Sequence, residues 1–118
     1  PIEREEILEG IRYIEKKRQP AEQVYLYTGA VLSARYYALT GKVSFKHTLI
    51  EGGSHRDDPI RYTEELNSVQ APFWVLFTHN YKTDKTDDQK LTITHLESTG
   101  RITDRLIFTG GFVARVER

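Results

Sequence analysis

The run Phe73-Trp74-Val75-Leu76-Phe77 constrains this chain more than any other feature. Five consecutive large apolar residues show no polar alternation, so a strand made from them has both faces covered. Such a strand needs a layer above and a layer below, and the flanking segments supply them. Ile7, Ile11 and Ile14 recur at i, i+4 and i+7 with Leu8 alongside, while Glu3, Arg4, Glu5, Glu9, Arg12 and Lys16 take the other face. That spacing predicts an amphipathic helix, ended by Pro20.

Val24-Tyr25-Leu26-Tyr27 then reads as a short strand stopped at Gly29, and residues 30–39 have helical composition, closed by Gly41. A second strand is expected within residues 43–50, ending at Gly52-Gly53. Asp58-Pro59 reads as an N-cap followed by proline in the first helical position, opening a helix with Ile60, Leu66 and Val69 inward. Thr86-Asp87-Asp88-Gln89 has the form of a capping box for a helix through Ile93 and Leu96 that ends at Gly100. Residues 102–108 and 112–116 predict two strands around the turn Thr109-Gly110-Gly111.

The order is therefore α-β-α-β-α-β-α-β-β. Alternating strands and helices imply right-handed crossovers and helices on both sides of the sheet. The expected fold class is α/β, a Rossmann-like three-layer sandwich whose mainly parallel sheet carries an antiparallel C-terminal hairpin at its edge. Residues 1–118 read as one domain, since 118 residues are enough for a single core and no linker or repeat divides them.

Composition narrows the function classes. Lys+Arg and Asp+Glu number 17 each, so no general field gathers nucleic acid or an anionic membrane. The absence of cysteine removes disulfides and thiolate chemistry. No stretch approaches the roughly 18 apolar residues of a membrane span. The chain starts at Pro1 and holds no methionine, which leads to the expectation that it is cut from something longer.

In an open parallel sheet, ligands bind beyond the carboxyl ends of the strands. Those ends carry Thr28-Gly29, then Gly52-Gly53-Ser54-His55-Arg56-Asp57-Asp58, then Thr78-His79-Asn80-Tyr81. The expected substrate-binding set is Gly29, Tyr36, His55, Arg56, Asp57 and His79; Tyr36 enters because it and Tyr37 sit about 100° apart on a helix, so one of them faces out. No catalytic residue, metal ligand or cofactor is assigned. Each member also has a plain structural reading: Asp58 caps a helix, Asp57 favours the same dipole, and His55 and His79 are polar loop residues. His47 reads as a strand residue and His95 as a helix-surface residue. His55, Asp57 and His79 are a conceivable metal set without the paired spacing of a known site. No dinucleotide or Walker-type glycine pattern and no nucleophile elbow is present. Gly52-Gly53-Ser54 before a helix either offers backbone N–H groups to an anion, with Arg56 assisting, or makes a turn needing positive φ.

Taken in order, Val24-Tyr25-Leu26-Tyr27-x-Gly29-Ala30, Tyr36-Tyr37, Gly53-Ser54-His55-Arg56-Asp57-Asp58-Pro59 with Tyr62 and Leu66, Phe73-Trp74-Val75-Leu76-Phe77-Thr78-His79 and a terminal glycine hairpin form a recognisable series. The series resembles the C-terminal soluble region of bacterial polytopic glycosyltransferases of the dolichyl-phosphate-mannose protein mannosyltransferase and aminoarabinose transferase type, over about residues 7–116. Thr78 stands where that pattern has serine, and the last strand is more charged than its apolar ending. The resemblance implies a parent protein that moves a sugar from a polyprenyl-phosphate donor on the outer face of a membrane, with catalytic acids in membrane-portion loops that this chain lacks. This chain is then expected to be an extracytoplasmic accessory domain, inactive alone, partnered by the membrane portion of the same polypeptide and by the polyprenyl-phosphate sugar or acceptor, and not by nucleic acid. The alternatives are a stand-alone small-anion or nucleotide-binding module and a small metal-dependent hydrolase.

Overall fold

A computed structural model describes residues 2–40, 48–55, 58–78 and 87–118. Helix α1 (Ile2–Lys17) leads into strand β1 (Gln23–Leu26), a 3-10 turn (Thr28–Ala30) and helix α2 (Val31–Leu39). Strand β2 (Leu49–Glu51), helix α3 (Pro59–Ser68), strand β3 (Phe73–Thr78) and helix α4 (Asp88–Thr99) follow. Strands β4 (Arg101–Phe108) and β5 (Gly111–Glu117) close the chain. The order of elements is the one the sequence predicts. Residues 43–47 of the expected second strand, the Gly41 cap and Thr86 lie outside the described residues.

The five strands form one sheet in the order β2-β1-β3-β5-β4. β1 pairs in parallel with β2 and with β3, whereas β5 runs antiparallel to both β3 and β4. The sheet is therefore mixed, not mainly parallel, because half of its pairings belong to the C-terminal hairpin. The hairpin does supply an antiparallel edge, with β4 outermost. Its turn uses Gly110 at φ 87°, a left-handed conformation that a side chain disfavours. A bulge between Ile102 and Asp104 interrupts β4, and together with Arg101 and Arg105 it blunts the open edge against further pairing.

Each face of the sheet carries its own apolar layer. On one side Ile7, Ile11 and Ile14 of α1, with Ala34 and Tyr37 of α2, cover Val24, Leu26, Trp74, Leu76 and Val113. On the other, Tyr62 and Leu66 of α3 and Leu96 of α4 cover Tyr25, Phe73, Val75, Phe77 and Phe112. β3 lies at the centre, and its apolar residues alternate between the two layers, which is why they show no polar period.

Two helix details differ from expectation. Ile60 is 70% exposed, and Tyr62 takes the inward position instead. Tyr62, Leu66 and Val69 stand at i, i+4 and i+7, leaving Ile60 about 200° from Tyr62 around the helix. The cap of α4 is Asp87, whose side chain accepts from the Lys90 N–H at 3.0 Å, in place of a box begun by Thr86. Asp58 caps α3 as predicted, accepting from the Arg61 N–H at 3.0 Å.

The amino end of the sheet is tied by a buried ionic group. Glu22, only 5% exposed, accepts from Trp74 Nε1 at 2.9 Å, and from Arg115 at 3.0 Å (Nε) and 2.6 Å (Nη2). Arg115 also donates to Glu117 and to Thr103. The charge that distinguishes the last strand from an ordinary apolar one is thus a structural ion pair. At the same end Arg118 donates to the Leu66 and Val69 carbonyls and lies over the Phe73 ring, closing the C-terminus of α3.

Candidate functional site

Three parallel strands end at one edge, and the polar groups gathered there are held by unusually specific contacts. Tyr25, the third residue of β1, is fully buried, with its ring on the α3 side of the sheet. Its hydroxyl needs a partner at that depth, and Glu65 of α3 provides it: Tyr25 Oη donates to Glu65 Oε1 at 2.6 Å. The same Oε1 accepts the Gly53 N–H at 2.9 Å. The other carboxylate oxygen, Oε2, lies 2.8 Å from His55 Nε2. With Glu65 ionised, Nε2 carries the proton and donates.

The cluster also explains the two glycines. The Gly52 N–H donates to the Leu26 carbonyl at 2.8 Å, and a Cβ on Gly52 would sit 2.5 Å from Tyr25 Oη. Positive φ is not the reason, since Gly110 alone among the described residues adopts it. Close approach of the loop to Tyr25 is the reason. Both amides are spent within the protein, so the loop offers neither to an external anion, and a side-chain carboxylate occupies the place an anion would take.

Charge states follow from these contacts. Burial pushes the Glu65 carboxyl up, but hydrogen bonds from His55, Tyr25 and Gly53 outweigh it and hold the group below the usual carboxylate range. Burial, followed by the adjoining Glu65 carboxylate, pushes the Tyr25 phenol far above its ordinary value. Tyr25 is accordingly a fixed donor. Next to it, Tyr27 stacks on Phe77 with ring centroids 4.1 Å apart and hydrogen-bonds Asp88 at the start of α4. Tyr62 and Thr92 share a buried hydrogen bond of 2.7 Å.

The expected site residues divide as follows. His55 joins the cluster. Gly29 lies in the 3-10 turn, where a Cβ would stand 2.7 Å from the Thr78 carbonyl, so it lets the end of β1 approach the end of β3. Gly29→Ala is expected to lower stability by about 1–3 kcal/mol through that backbone clash, measured by urea denaturation; an unchanged midpoint would show that the approach is dispensable. Tyr36 is 45% exposed on α2 and stands edge-to-face against buried Tyr37, so of the adjacent pair it is the one turned outward. It sits on the α1–α2 side of the sheet, apart from the Glu65 cluster. Arg56, Asp57 and His79 lie outside the described residues. His95 is a partly exposed helix residue bonded to Asn67 at 2.8 Å. Among the described residues no group of three His, Cys, Asp or Glu is placed to hold a metal ion.

Tyr25 reads from the sequence only as a strand residue, and Glu65 is the other member outside the expected set. It is one of two adjacent glutamates in a polar helix, and nothing local separates it from Glu64. No helix among the described residues is long and apolar enough to cross a membrane. Compared with protein-family models, curated proteins and solved structures, the chain matches none.

Proposed function

We propose that this chain is the extracytoplasmic domain of an integral-membrane glycosyltransferase that uses a polyprenyl-phosphate-linked sugar, and that it assists acceptor positioning without catalysing transfer alone. The reading starts from the ordered series of motifs described above. One structural observation supports it best: the polar groups described at the carboxyl edge are committed to one another. Glu65 is engaged by three donors, His55 is held by Glu65, and Tyr25 is buried. Groups satisfied by one another in this way suit a positioning role better than bond-making. The parallel order β2-β1-β3, in which the connections wind outward to β2 and then back past β1 to β3, supports a Rossmann-like reading of this half of the sheet.

The test compares two preparations. The purified chain, given polyprenyl-phosphate sugar and candidate acceptors, is expected to show no transfer or hydrolysis. The membrane protein that carries it is expected to lose activity when Arg56 or His79 is changed to alanine, with the domain still folded. Turnover by the purified chain, or full activity in both variants, would defeat the proposal.

A further inference from the structure

The Glu65 cluster has the construction of an anion-binding site with its occupant already in place. Three donors from two parts of the chain converge on one carboxylate: a buried phenol from β1, and a backbone N–H and an imidazole N–H from the β2–α3 loop. Converging donors of this kind, including a main-chain amide, are what proteins use to bind carboxylate and phosphate oxygens. Here the oxygens arrive on a side chain of α3.

We infer that Tyr25, Gly53 and His55 form a preorganised site for a compact carboxylate, which the Glu65 side chain occupies as an internal ligand. Shortening Glu65 to alanine removes the heavy atoms of one acetate ion and leaves the three donors facing the gap. External acetate is then the matching ligand. In the native chain the site is closed to free anions, because the tethered carboxylate competes at a far higher effective concentration. An anionic group reaches the donors only when Glu65 turns out toward solvent. This inference is independent of any membrane attachment.

Thermal melting of Glu65→Ala in sodium acetate, sodium chloride and acetamide tests it. The substitution strands the buried Tyr25 hydroxyl and is expected to lower Tm by about 5–10 °C. Acetate should restore part of that loss in a saturable manner, whereas chloride at equal ionic strength and neutral acetamide of the same shape should not. Native protein should respond to none of the three. Adding Tyr25→Phe to the variant removes one donor and should weaken the acetate response. An equal response to acetate, chloride and acetamide, or no response to acetate, overturns the inference. If Glu65→Ala is unfolded in chloride, circular dichroism in acetate decides the matter: recovered structure supports the site, and none refutes it.

Discussion

Trp74→Ala is expected to cost the domain about 3–5 kcal/mol, the range for deleting a large aromatic side chain from a packed core. Trp74 is fully buried on the central strand, between β1 and β5, with α1 packed over it and Tyr13 edge-on at 6.3 Å. Truncation removes that apolar mass and also the indole N–H that donates to Glu22. Trp74→Phe separates the two effects in large part, since it keeps most of the ring volume and loses the donor. It should cost about 1–2 kcal/mol. Denaturant melts of both variants give the comparison. An unchanged midpoint for Trp74→Ala would mean that β3 is not the centre of the sheet.

Glu22→Ala should cost about 1–3 kcal/mol, because it leaves the buried Trp74 N–H unpaired and takes one of two counter-charges from Arg115, which is 22% exposed and keeps Glu117 at 2.7 Å. Burial pushes the Glu22 carboxyl up, but hydrogen bonds from Arg115, the Gln19 N–H and Trp74 outweigh it, so the carboxyl lies below its ordinary value. A carboxylate whose folded pKa is depressed contributes stability above the unfolded pKa, about 4.3, and loses it as pH falls through the folded value. Glu65 has the same sign. Stability of the native chain should therefore decline from about pH 5 downward. Glu22→Gln should flatten part of that decline, as read from urea midpoints across the acid range. A profile identical to the native one would remove Glu22 from the account. Because Trp74 and Glu22 share a hydrogen bond, the Trp74→Phe and Glu22→Gln costs should not add, differing from their sum by about 0.5–3 kcal/mol.

Regular periodicity made most of the fold legible. The isoleucines of α1, the unbroken apolar run of β3 and the Asp58-Pro59 start of α3 each specify an element through local spacing. The mixed character of the sheet was less accessible, because strand order is decided by contacts far apart in sequence. A trace of it was present all the same. Phe112-Val113-Ala114 is continuously apolar, as befits an interior strand, whereas residues 101–107 alternate in burial as an edge strand does. Ile60 is apolar yet faces out, because the spacing of Tyr62, Leu66 and Val69 defines the inner stripe. The site was legible only in part. His55 and the glycines mark the loop, but Glu65 lies 40 residues from Tyr25 and 10 from His55, joined to them only by the crossover of α3.

The position of β5 has a consequence for how the chain matures. Between β3 and β4 the sheet has a gap that only the later strand fills, so β4 cannot attach until β5 exists to receive it. A nascent or proteolysed chain that stops short of Gly111 would present Phe73–Thr78 with one flank unpaired. An apolar strand left open in that way is a template for association with other chains. Shortened versions should precipitate rather than remain as soluble partial folds.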